Sequence, residues 1–192
     1  MKKRKKVVKQ APLSIKRYLK ESARKLPISH CYCTEGWEES GIAQVLVCRK
    51  KQNGTFLIGI FLIDTFCLGI KSADVKNNED WEQVAFLVNM MQQNGGRKMA
   101  EVPYEYAHNL IYGAEAFARD IGFMPDNDFA LAQYVLEADT EDIPFIAFEF
   151  GKDGEPFYMQ GPYDSVPKIM RVLAAYNKRQ SKEDWFTDYE EV

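Results

Sequence analysis

Residues 42–67 read Ile-Ala-Gln-Val-Leu-Val-Cys-Arg-Lys-Lys-Gln-Asn-Gly-Thr-Phe-Leu-Ile-Gly-Ile-Phe-Leu-Ile-Asp-Thr-Phe-Cys. Two runs of β-forming residues flank Asn53-Gly54, a dipeptide that accepts positive φ at low cost and so closes a tight antiparallel hairpin. The reading predicts strands over 42–52 and 55–67, with Arg49 opposite Ile58, Val47 opposite Ile60 and Val45 opposite Leu62. Both faces of the second run are apolar, which places it at the centre of a sheet covered on both sides.

Working outward toward the N-terminus, 28–34 reads as a short strand, and Gly36 and Gly41 bracket a turn that carries Trp37, Glu38 and Glu39. Before it, Ser14 caps a helix with Ile15, Leu19, Ala23 and Leu26 on one face, and Pro27 stops it. Toward the C-terminus, 78–80 opens a helix through Trp81, Val84, Ala85, Val88 and Met91 that ends at Asn94-Gly95-Gly96. Pro103 opens a second helix, closed by Gly122, with Ala107, Leu110, Ile111, Ala114, Phe117, Ala118 and Ile121 on its apolar face. A shorter helix follows Asp126 or Asn127. Residues 144–150 and 156–160 read as a second hairpin turning at 151–154, and a last helix starts near Asp164. Hairpins at both ends with helices between them predict an α+β fold: an antiparallel sheet built from two hairpins, packed with about five helices. The chain divides into a basic arm (1–13), one domain (14–180) and an acidic tail (181–192).

The net charge of −3 conceals a dipolar arrangement. Residues 1–25 carry eleven Lys or Arg and one Glu, net +10, leaving 26–192 at net −13. Lys2, Lys3, Arg4, Lys5, Lys6 and Lys9 make the arm a candidate contact for RNA or DNA, through release of condensed counterions. The same charge also suits its own acidic body, or a role in solubility alone. The longest apolar run, 56–63, is far shorter than the ~20 residues a membrane-spanning helix needs, and the basic start leads into no signal-like apolar stretch. The expectation is a cytoplasmic protein without a membrane partner, whose Cys31, Cys33, Cys48 and Cys67 stay reduced.

Candidate chemistry is sparse. Glu105, His108, Tyr112 and Glu115 share a helix stripe, and Glu105-x-x-His108 is the unit that di-iron bundles use twice; here it occurs once, and a solvated polar face explains it as well. Asp64 ends an apolar strand, as Mg²⁺- or Mn²⁺-holding carboxylates of nucleases do, with Glu38, Glu39, Glu115 and Glu149 as possible second ligands. Glu149 and Lys152 miss by one residue the Glu-x-Lys spacing of restriction-type nucleases. The four cysteines admit a zinc site, against the plainer reading of buried core thiols. Asn94-Gly95-Gly96-Arg97-Lys98 reads either as an anion-binding loop or as a helix cap. Phosphate-cradling, nucleophile-elbow and His-Glu-x-x-His motifs are absent from the sequence.

Several phrases together, Ala23-Arg24-Lys25-Leu26-Pro27-Ile28, Trp37-Glu38-Glu39-Ser40-Gly41, Phe61-Leu62-Ile63-Asp64, Cys67-Leu68-Gly69-Ile70-Lys71 and Tyr112-Gly113-Ala114, resemble a family of uncharacterised bacterial proteins over about residues 18 to 175. The resemblance implies a bacterial, self-contained domain and transfers no catalytic residue, although it draws attention to Glu38, Asp64 and Lys71. The function expected from all of this is a non-catalytic binding module, for nucleic acid through its arm or for a protein partner. The alternative is a metal-dependent phosphodiesterase.

Overall fold

The computed structural model describes residues 14–187. Lys2, Lys3, Arg4, Lys5, Lys6 and Lys9 lie outside the described residues. The fold is α+β. Strands β1 (Ile28–Thr34), β2 (Ile42–Lys50), β3 (Phe56–Asp64), β4 (Gly69–Glu79) and β5 (Met99–Glu101) form one antiparallel sheet in the order β4-β3-β2-β1-β5. The helices are α1 (Ile15–Ser22), α2 (Trp37–Ser40), α3 (Trp81–Gly95), α4 (Tyr104–Ile121), α5 (Phe129–Ala132) and α6 (Val166–Thr187). Short 3₁₀ turns, Ala23–Lys25 and Gln133–Val135, extend α1 and α5.

Local chemistry explains the element ends. Ser14 accepts the N–H of Arg17, and Asp80 accepts that of Gln83, so two helices begin on side-chain caps. Gly122 closes α4 at φ 117°, and Gly96 closes α3 at φ 65°, both in the left-handed region that favours glycine.

The β2–β3 hairpin forms where the Asn53-Gly54 signal places it, but its register differs by one residue from the expected one. Arg49 faces Leu57, Val47 faces Gly59 and Val45 faces Phe61. The cause is a three-residue loop: Lys51 and Thr55 are joined by an N–H···O bond of 2.8 Å, Gly54 donates to the Lys51 carbonyl, and Asn53 Oδ1 takes both the amide and the hydroxyl of Thr55. Opposed residues of an antiparallel pair share a face, and this register gathers Val45, Val47, Leu57, Phe61 and Ile63 into one core and Leu46, Cys48, Phe56 and Ile58 into another, whereas a one-residue slip would mix the two sets.

The second expected hairpin is not part of the sheet. Residues 144–150 and 156–160 carry no strand, and a single bridge joins Lys152 to Glu155. Their alternating aromatics are drawn to α4 instead. Phe148 and Phe150 pack against the main core, and Phe150 lies so close to Gly113 that a Cβ there would stand 2.5 Å from the ring. The sheet is completed by β4 and β5, which the sequence pattern does not announce.

The main core lies between the sheet and α4 with α5 and α1, and a smaller one lies under α3, where Val84, Leu87 and Met91 cover the other face. At the hairpin end the main core contains Arg49, 1% exposed. Its Nε donates to the Val135 carbonyl (2.6 Å), Nη1 to the carbonyls of Leu26 (2.5 Å) and Arg24 (3.4 Å), and Nη2 to Glu137 (2.6 Å). One guanidinium thus ends two 3₁₀ turns and anchors the chain beyond α5. Arg49→Leu strands these acceptors and is expected to cost roughly 3–5 kcal/mol, measured by urea denaturation. Glu137→Gln is expected to cost much less, because that side chain is 36% exposed and keeps water as a partner.

Candidate functional site

Residues named from sequence are distributed over several environments. Asp64 ends β3 and is 4% exposed. Its Oδ1 accepts the N–H groups of Phe66 (3.0 Å) and Cys67 (2.9 Å), so it shapes the turn after β3. Burial raises its pKa, against the pull of the Cys67 amide and of Lys71. Lys71, on β4, bonds both oxygens of Asp164 at 2.8 and 3.1 Å. Burial would raise the Asp164 pKa, but Lys71 and the Gly161 amide hold it below the usual carboxylate range.

Helix α4 departs from the solvated-face reading. His108 (2% exposed) is buried where the segment after α5 closes over it, and Glu115 (8%) is buried as well. The His108 ring lies between Tyr104 and Tyr112, with centroids at 5.6 and 4.8 Å, while Tyr104 Oη accepts the Glu137 amide and Tyr112 Oη donates to the Glu137 carbonyl. Glu115 is bonded by Arg119 one turn on. Glu105 stays half-buried at the start of the helix. The four-residue spacing of Tyr104, His108 and Tyr112 therefore builds an aromatic packing site around a histidine, and Glu105 is not part of it.

The cysteines are all buried and unpaired with one another. The strand pleat sends Cys31 and Cys33 into the main core and Cys48 into the other one, so the four sulfurs do not converge. Burial pushes the Cys31, Cys33 and Cys67 thiols up to about 12, which keeps them protonated and poor as nucleophiles. Among the described residues, no group of three His, Cys, Asp or Glu could hold a metal ion. The 94–98 segment follows its helix-cap reading: Gly96 caps α3, Arg97 donates to the Gly36 carbonyl and pairs with Glu39 at 3.1 Å, and Lys98 pairs with Glu35 at 3.0 Å.

Of the carboxylates named as partners for Asp64, Glu38, Glu39 and Glu149 do meet, but in a surface groove of about 640 Å³ without Asp64. Helix α2 forms one side of it, held between Gly36 and Gly41 at φ 64° and 68°. A side chain at Gly41 would collide with the Phe66 ring. Trp37, anchored by its indole N–H on Tyr106 Oη at 2.9 Å, lies edge-on to Phe148. The other side is the 147–159 segment, tied to the turn after β3 by Gly151 N–H on the Thr65 carbonyl and Phe157 N–H on the Phe66 carbonyl, each 2.9 Å. The aromatic members of this groove are not legible as a site in the sequence because they come from three distant segments.

Comparison of the chain with protein families, with curated sequences and with solved structures finds no match.

Burial holds the His108 pKa below its ordinary value, against the opposing influence of the Ala138 carbonyl and of Asp139 and Glu137. Below about pH 6.5 the unfolded chain takes up a proton that the folded imidazole refuses, so stability falls as pH drops from there through the folded value. His108→Leu is expected to remove this part of the slope. Urea midpoints of both proteins at two pH values, one on each side of that window, check it.

Proposed function

We infer that this chain is a non-catalytic interaction module that contacts nucleic acid through a basic surface at its N-terminal end, in a reducing, cytoplasmic setting. The observation that carries the reading is the exposure of Lys16, Lys20 and Lys25 on α1 and its 3₁₀ extension, with no acidic partner among the described residues. Lys16 and Lys20 are one turn apart on the same face. The helix is seated by Leu19 and Ala23 in the core, so these cations are presented from a fixed frame that the basic segment 1–13 continues in sequence. A row of cations on a rigid helix suits a phosphate backbone. Among the described residues, no helix is long and apolar enough to cross a membrane.

The phosphodiesterase alternative with Mg²⁺ or Mn²⁺ has less support. It needs a carboxylate pair on Asp64, whose Oδ1 already bonds two amides, and Glu115 and Glu39 are paired with arginines.

Fluorescence anisotropy with a labelled single-stranded RNA across a salt series tests the proposal. Affinity is expected to fall steeply with salt. The Lys16→Ala/Lys20→Ala/Lys25→Ala variant is expected to flatten the log–log slope by about 2, at roughly 0.7 for each single-strand phosphate that the variant no longer neutralises. No binding at low salt, or an unchanged slope, contradicts it.

A further inference from the structure

We propose that the groove between α2 and the 147–159 segment docks a lysine- or arginine-bearing peptide segment of another protein. This surface is separate from the basic one, which starts at the opposite end of the sheet. Tyr18 of α1 lies under Lys51 in the β2–β3 loop (5.0 Å), whereas the groove is built around the turn that follows β3.

Three independent features select a cationic peptide. The first is charge. Glu38, Glu149 and Asp153 are exposed on the rim with no ion-pair partner among the described residues, whereas Glu39 is taken by Arg97. A polyanion is repelled here, and a cation gains carboxylate partners without having to break an existing pair. The second is the aromatic lining. The chain already places one of its own cations on it, Lys152 Nζ standing 4.7 Å from the centre of the Phe157 ring. Phe66 lies edge-on to Phe157 at 6.3 Å, and aromatic faces beside carboxylates attract Lys and Arg side chains. The third is the backbone. Residues 145–149 make no backbone hydrogen bond with any described residue, and 147–149 of them line the groove with Trp37. A peptide main chain pairing with 147–149 displaces no backbone hydrogen bond among the described residues, a gain that a small cation or an isolated side chain would not use. Charge on the rim, rings on the walls and unpaired main chain together fit a basic peptide laid along 147–149.

The test is fluorescence anisotropy of the full chain with a labelled ten-residue peptide of alternating lysine and serine, and with the same peptide carrying glutamate for lysine. The expected result is saturable one-to-one binding of the lysine peptide only. The Glu38→Gln/Glu149→Gln/Asp153→Asn variant, whose changes are confined to exposed side chains, is expected to bind it at least about tenfold more weakly. Phe157→Ser is expected to weaken it separately, with circular dichroism and urea midpoint showing that both variants remain folded. Equal binding by the charge variant, equal binding of the glutamate peptide or no saturation would overturn the proposal. Binding seen only after residues 1–13 are removed would also overturn it, because it would give the groove to the chain's own N-terminal segment.

Discussion

A single buried cation organises one end of this molecule. Arg49 would be costly to bury alone, since a desolvated guanidinium must find acceptors for its donors inside the protein. It finds them in three backbone carbonyls and one carboxylate, supplied by the end of the first helical segment and by the chain that follows α5. Those carbonyls belong to 3₁₀ termini, whose acceptors would otherwise lack partners. The requirement works in both directions: the helical ends satisfy the arginine, and the arginine fixes where the ends stop. Glu137, bonded by Arg49 through its side chain and by Tyr104 and Tyr112 through its backbone, leads into the segment that covers His108 on α4.

From that fixed end the charge distribution runs along the molecule. Exposed cations collect on α1 and its 3₁₀ extension, whereas unpaired carboxylates collect in the groove beyond the far ends of β2 and β3. Interior carboxylates and thiols are spent on structure. Asp64 shapes a turn, Asp164 holds Lys71, Glu115 holds Arg119, Cys31, Cys33 and Cys48 pack in the two cores, and Cys67 is buried in the turn after β3. The side chains left open are therefore those suited to contact, at two surfaces of opposite sign.

Much of the fold is legible where local chemistry is strong. The strand at 28–34, the caps at Ser14 and Asp80, Pro103 and Gly122 around α4, and the Asn53-Gly54 turn all coincide with the structure. The expected register fails because the Asn-Gly signal specifies a turn without specifying its length, and the Asn53–Thr55 bonds stabilise the longer loop. Strand β4 escapes notice because its outer half, Asp74 to Glu79, is polar at nearly every position; pairing with β3 makes it a strand, with no periodicity of its own to announce it. The alternation in 144–150 suggests a strand, but Gly113 opens a slot on α4 that takes Phe150 instead. His108 is expected in solvent because helix periodicity shows one face toward the sheet and says nothing of a later segment closing over the other. The groove is half legible: Glu38, Glu39 and Glu149 stand out in the sequence, while their company with Phe66, Phe148 and Phe157 is a tertiary fact.

The most direct measurement is a hydrogen-exchange footprint of the full chain with and without saturating single-stranded RNA at low salt. Protection confined to the α1 region and the neighbouring β2–β3 loop, with exchange at 37–40 and 145–159 unchanged, is what two separate surfaces of opposite sign predict. Protection concentrated around the turn after β3 and the groove, with α1 unaffected, would contradict the account.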